Sequence, residues 1–345
     1  MGMLPWNAEM SGRVDRATVV SEVLRDNPLG DSHERPLWVY LPPGYDDGVT
    51  AYPTIYVIQG YSGQVVMWGN RQPWRRTVPE MLDRVFADGE APPAIVVYVD
   101  AWTRLGGGQF VDSHGHGAYH SYLCDEVVPY VDRHYRTLAA PEHRAITGKS
   151  SGGYGAMITP MLRPGLFGAL ATHAGDALFE VLYPREFGPA ARILREEYDG
   201  SWEKFLDRFH ATGGRCPGSD IVILYGNAAS YSANPGGSVD MPFDHLGRLV
   251  PEVWSRWLEY DPVVMAPKHA EALRSLHSVW IDAGRNDEYF LDMGAIAFHE
   301  EVRRAGVPAA NVFFELFDGT HANLEHRYVM AVKWLAPRLT PGRPL

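Results

Sequence analysis

Short apolar, β-prone runs recur along the chain at Thr18–Leu24, Leu37–Leu41, Thr54–Gln59, Ala94–Val99, Arg144–Thr147, Leu170–Thr172, Ser278–Ala283 and Val312–Phe317. From the third onward, stretches with the period of a helix separate them. Tyr119–Tyr135 places Leu123, Val127, Tyr130 and Val131 on one face, and Gly294–Ala305 and Leu324–Leu335 behave similarly. Strands alternating with helices predict an α/β fold: a mostly parallel central sheet flanked by helices on both faces.

One interval breaks the rhythm. Between the strands predicted at Leu170–Thr172 and Ser278–Ala283 lie roughly a hundred residues, where a connection in an α/β unit usually takes about 2–6. Residues 177–277 are therefore expected to form a cap inserted between the sixth and seventh strands, over the C-terminal edge of the sheet, within a single domain of 345 residues. The segment carries helical stretches at Ser201–Ala211 and Leu249–Leu258 and a Gly/Pro/Asn-rich middle, Asn227–Pro242, that reads as loop. Its Trp202, Phe205, Trp254 and Trp257 either line a pocket or pack as core.

Composition narrows the function classes. Hydrophobic residues make up 46% and charged residues 21%, the balance of an ordinary folded protein. A net charge of -11 with no Lys/Arg cluster argues against nucleic acid and against anionic membrane surfaces. No run approaches the length of a membrane span, and Met1–Arg13 lacks the apolar core of a signal peptide, so a cytoplasmic location is expected. Two cysteines, Cys124 and Cys216, are too few for a disulfide framework or a cysteine zinc site, and Cys124 falls in a predicted helix where a buried thiol is expected.

The chemistry centres on Gly148-Lys149-Ser150-Ser151-Gly152, a G-x-S-x-G between the strand predicted at Arg144–Thr147 and a helix predicted over Gly153–Leu162. A serine on a tight strand-to-helix turn is held with its hydroxyl exposed at the tip of a sheet, and small neighbours are needed because that backbone is crowded. Ser150 is the candidate nucleophile. A serine hydroxyl needs a histidine to take its proton and a carboxylate to orient that histidine. In α/β-hydrolases the order along the chain is Ser, acid, His, each following a strand. Asp287 lies in the loop Gly284-Arg285-Asn286-Asp287-Glu288, with Glu288, Asp282 and Asp292 as competitors. His321, alone among the 14 histidines, lies just past the last predicted strand and is the candidate base.

The tetrahedral intermediate requires two N–H donors. Ser151 follows the nucleophile and supplies one. The strand Thr54–Gln59 runs into Gly60-Tyr61-Ser62-Gly63, where Gly60 allows close backbone approach and the Tyr61 N–H is the expected second donor. These landmarks, with Leu37-Trp38-Val39-Tyr40-Leu41-Pro42-Pro43-Gly44-Tyr45, Gly148 to Gly155, Gly284 to Asp287 and Gly319-Thr320-His321, resemble the esterase group of α/β-hydrolases that includes esterase D-type enzymes, feruloyl esterases, siderophore esterases and mycolyltransferases. The resemblance spans most of the chain. It implies an α/β-hydrolase fold and a triad of Ser150, Asp287 and His321. The chain departs from many of these relatives in carrying Gln59 where they have histidine, and it lacks the cysteine-containing motif of formylglutathione hydrolases, which argues against that substrate.

Two rival readings carry less weight. His114, His116 and His120, with Asp112, offer imidazoles for a metal, but their spacing is loose and Gly-rich and no H-E-x-x-H is present, so a structural or pocket-lining role is favoured. A non-catalytic binding protein on a hydrolase fold is disfavoured because every catalytic element is present. The sequence therefore predicts a serine esterase acting on a small or aromatic carboxylic ester, with no cofactor and no metal. Gly60, Trp68, Tyr154 and Phe290 are the expected substrate contacts beside Tyr61. Transfer of the acyl group to an alcohol is the alternative, and association into a homo-oligomer stays open.

Overall fold

The computed structural model describes residues 9–71 and 73–340, so the sequence reading of residues 1–8 lies outside the described residues. Among the described residues the central sheet has eight strands: β1 (Arg13–Val20), β2 (Glu34–Leu41), β3 (Thr54–Ile58), β4 (Ile95–Val99), β5 (Arg144–Lys149), β6 (Ala169–His173), β7 (Ser278–Gly284) and β8 (Val312–Phe317). Their spatial order is β1-β2-β4-β3-β5-β6-β7-β8. β1 pairs antiparallel with β2 and β2 antiparallel with β4, while every other neighbouring pair is parallel. This is the α/β-hydrolase arrangement expected from the sequence.

The inner strands β3 and β4 are apolar along almost their whole length because helices cover both faces. Along β4, Ile95, Val97 and Val99 join one core while Val96 and Tyr98 join the other. α1 (Val78–Ala87) and α12 (Glu325–Leu339) close the second face. On the first lie α2, which runs through Tyr119–Ser121, a π-helical stretch Tyr122–Val127 and Val128–His134, together with α3 (Ser151–Leu162) and α11 (Leu291–Arg304).

β1 departs from expectation, starting at Arg13 and ending at Val20 instead of spanning Thr18–Leu24. As an edge strand it carries Arg13, Asp15 and Arg16 toward solvent, so hydropathy alone hides its first half. Residues beyond Val20 leave the sheet where the Ser21 N–H donates to His33 O at 2.9 Å.

The segment between β6 and β7 is largely helical: α4 (Phe179–Leu182), α5 (Pro184–Tyr198), α6 (Trp202–Thr212), α7 (Val222–Tyr231), α8 (Pro251–Leu258), α9 (Pro262–Met265) and α10 (Ala270–Arg274). The expected loop over Asn227–Pro242 is thus wrong at its start, since Asn227 to Tyr231 are helical. Gly226 and Asn227 are poor helix formers, but α7 is buried along nearly its whole length, and packing outweighs propensity. Trp202, Phe205, Trp254 and Trp257 form an aromatic core within this segment, with Trp254 and Trp257 ring centroids 5.9 Å apart and Trp202 and Phe205 5.8 Å apart.

Candidate active site

β5 delivers Ser150 onto a turn that an L-residue adopts only under strain, with φ 57° and ψ -128°. The strain is held by hydrogen bonds from the Ser150 N–H to His173 O at 3.0 Å and Ala174 O at 3.1 Å, and from the Tyr154 N–H to Ser150 O at 2.8 Å. Glycine is forced on either side. A Cβ on Gly148 would strike the Gly152 backbone, and one on Gly152 would strike the Ile58 and Gln59 carbonyls.

His321 and Asp287 meet at this edge of the sheet, Nδ1 to Oδ2 at 2.8 Å, with the Asp287 carboxylate fully shielded. Its other oxygen accepts the Tyr289 N–H at 2.9 Å, which fixes the plane in which it addresses the imidazole. The competing carboxylates are otherwise engaged. Glu288 Oε2 accepts the His321 backbone N–H at 2.9 Å, and that bond holds its carboxyl below the usual range. Asp282 bonds His173 Nδ1 at 2.8 Å and also accepts from Trp280 Nε1 at 2.6 Å and Arg327 Nε at 2.8 Å. Burial pushes the Asp282 carboxyl up, but the hydrogen-bonded His173 ring and the Arg327 guanidinium prevail and hold it low. Asp292 lies at the start of α11, raised by burial.

Gly60 and Tyr61 leave the end of β3 and line the same cavity as Ser150, Ser151 and His321. The Gly60 Cα approaches the elbow so closely that a Cβ there would sit 3.1 Å from Lys149 O. The Tyr61 ring turns away, its hydroxyl donating to Leu105 O and lying 3.2 Å from Val222 O, which ties the loop to α7. Ser151 is the first residue of α3, whose leading N–H groups have no intrahelical partner.

The cavity measures about 480 Å³ and takes most of its apolar wall from the segment between β6 and β7, including Leu182, Ile193, Ile221 and Leu224, with Trp68 opposite. Two expected wall residues lie elsewhere. Tyr154 is fully buried in the core, its ring 5.9 Å from those of Phe179 and Tyr231, because its place in α3 turns it inward beneath the elbow. Phe290 is largely exposed under the Arg185 guanidinium, and its neighbour Tyr289 takes the wall position.

Sequence reasoning missed Asp176. It follows β6 through Ala174 and Gly175, is buried, and accepts from Ser151 Oγ at 3.1 Å and Ser150 Oγ at 3.5 Å. An acidic residue three positions beyond a strand on the catalytic edge is the signal that could have found it. Burial pushes its carboxyl up to about 6, against the opposing pull of His321. Lys149, beside the nucleophile, also faces the cavity, and burial lowers its ammonium.

The histidine cluster disperses: His114 is exposed, and the other two make separate contacts. His116 is buried, with Nε2 3.1 Å from Ser230 Oγ and Nδ1 3.1 Å from Gly117 O, and burial pushes it down to about 4. His120 Nε2 lies 3.7 Å from Cys124 Sγ, a thiol that burial pushes up to about 12. Among the described residues no group of three or more His, Cys, Asp or Glu side chains is arranged to hold a metal ion.

A family model described as "Putative esterase" matches residues 32–328. An endo-1,4-beta-xylanase/feruloyl esterase of Xylanibacter ruminicola is 30% identical over 138 residues, 38% of this chain and 18% of that protein. An uncharacterized Bacillus subtilis protein, YbbA, is 25% identical over 155 residues, 41% of this chain and 57% of that protein. The chain thus spans less than two thirds of the length of either relative. A solved ferulic acid esterase superposes with a TM-score of 0.62 at 21% identity, covering 96% of this chain and 100% of that one, a likeness of fold.

Proposed function

Because the chain belongs to the Esterase family of α/β-hydrolases, we propose that it hydrolyses carboxylic esters through an acyl-enzyme on Ser150, with His321 as base and Asp287 as its orienting acid. The observation that carries this reading is the 2.8 Å His321–Asp287 hydrogen bond, with His321 lining the same cavity as the strained Ser150. The Asp287 carboxylate accepts a hydrogen bond from Nδ1–H and so leaves a bare Nε2 for the nucleophile.

The reaction follows from these roles. Ser150 Oγ turns from Asp176 toward His321, gives its proton to Nε2 and attacks the ester carbonyl. The Tyr61 and Ser151 N–H groups receive the oxyanion, helped by the positive end of α3. The imidazolium returns its proton to the departing alkoxide, leaving an acyl group on Ser150. Water, deprotonated by His321, then releases the acid. The segment at 177–277 acts as a cap, and its apolar wall suits a small or aromatic ester. Incubation with a fluorophosphonate followed by peptide mass spectrometry tests the nucleophile: a single adduct on Ser150 is expected, and an adduct elsewhere or none overturns the reading.

A further inference from the structure

The triad leaves one carboxylate at the nucleophile without a task. Asp176 is 7% exposed, yet it lies in a largely apolar cavity where an ionised group is costly. The chain is bent to place it there. Ala174 takes φ 45°, and a Cβ on Gly175 would run into Thr172 and the Gly153 backbone. A carboxylate offers about four acceptor positions, and among the described residues two donors reach this one, Ser150 Oγ and Ser151 Oγ. One of these, Ser150, must leave when it turns to His321.

Two further polar groups line the same cavity. The Tyr183 hydroxyl is buried next to that of Tyr231 but makes no well-formed hydrogen bond among the described residues, and its phenol is pushed well up by burial and by the charge of Asp176. Asn227 has its Oδ1 taken by Gln109 Nε2 at 2.6 Å, which leaves its N–H groups as the free end. An acceptor, a hydroxyl that can donate or accept, and a donor together match the hydrogen-bonding capacity of an alcohol.

We propose that Asp176, Tyr183 and Asn227 form a polar subsite beside Ser150 that binds a hydroxyl group carried by the substrate close to its scissile ester. The subsite rests on the ester-hydrolase reading. A hydroxyl there replaces the hydrogen bond Asp176 loses when Ser150 swings away, and it gives Tyr183 a better-placed partner than Tyr231. A plain alkyl ester offers neither group that partner, and a site built this way discriminates against it.

Two matched pairs of esters test this: p-nitrophenyl butyrate against p-nitrophenyl 3-hydroxybutyrate for the acyl side, and ethyl butyrate against 2-hydroxyethyl butyrate for the alcohol side. Turnover is measured with wild type, Asp176→Leu and Tyr183→Phe, and calorimetric binding with Ser150→Ala. In at least one pair the hydroxylated member is expected to have a kcat/KM about tenfold to a hundredfold higher, the range for a hydrogen bond to a charged group. That preference collapses toward unity in both variants, and the pair that shows it identifies the side of the ester. Tyr183→Phe keeps the shape of the core, so the test survives even if Asp176→Leu fails to fold. Equal turnover of both members of each pair by wild type, or a preference untouched by Tyr183→Phe, overturns the subsite and leaves ester hydrolysis intact. If wild type cleaves none of the four but Ser150→Ala binds the hydroxylated members more tightly, the subsite stands and the hydrolase reading falls. Equal binding with no turnover sinks both.

Discussion

Asp282 Oδ1 lies 2.8 Å from His173 Nδ1, and both side chains are fully shielded from solvent. This pair sits directly behind the nucleophile: the Ser150 N–H donates to His173 O, and the Ala174 N–H donates to Asp282 O at 2.7 Å. Arg327, itself buried, completes the network through Asp282 Oδ2. Glu315 still pairs with the Arg327 guanidinium when the carboxylate is removed, but Arg327 Nε and Trp280 Nε1 lose their buried acceptor, a loss of about 1–3 kcal/mol. Asp282→Ala is accordingly expected to lower the unfolding free energy by that order in urea titration. A change within error of wild type would contradict the account of this network.

Asp287 and Glu288 are adjacent but unequal. Asp287 bonds the imidazole, whereas Glu288 bonds only the His321 backbone. Asp287→Asn keeps the size but presents the wrong hydrogen-bonding partner to Nδ1, so kcat is expected to fall by about 10³–10⁴, as when such a triad loses its acid. Glu288→Gln retains an acceptor for the backbone N–H and is expected to cost less than about tenfold. Equal losses from the two substitutions would mean that the acid has been misassigned.

Asp176 makes stability depend on pH. Its carboxyl is raised by burial from 3.8 to about 6, so the native state holds this proton more tightly than the unfolded chain. The protonated form is the favourable one in the fold, and its contribution is lost as pH rises between those two values. Asp176→Asn carries no charge at any pH and keeps an acceptor for Ser151. The variant is expected to gain on wild type as pH rises from 4 to 8, by on the order of 2–3 kcal/mol. Unfolding midpoints at several pH values check this, and a difference that does not grow with pH would contradict it.

What the sequence made legible follows from how local each signal is. Parallel strands buried on both faces are short uniform apolar runs, and the fully buried β3 matches its predicted span to within one residue. The elbow was legible because Gly148 answers to the Gly152 backbone four positions on, and His321 because it follows the last strand, whereas the contact of Gly152 with Ile58 and Gln59 crosses to the neighbouring strand. β1 was misplaced because an edge strand tolerates charge. Asn227 in α7 was misread because its helicity comes from burial, which no local propensity reports. Tyr154 and Phe290 were misassigned for a related reason: a position next to the nucleophile or the acid does not tell which way a ring turns. Asp176 escaped notice because it answers to no motif, and its contact with Ser150 and Ser151 joins residues 26 and 25 positions apart.

The central claim is that Ser150 and His321 act as one unit without a metal. Hydrolysis of p-nitrophenyl acetate and butyrate by wild type, Ser150→Ala and His321→Ala, each with and without EDTA, tests it directly. Activity that withstands EDTA and falls by orders of magnitude in both variants is the predicted result. Activity abolished by EDTA, or retained by Ser150→Ala, would contradict the serine mechanism.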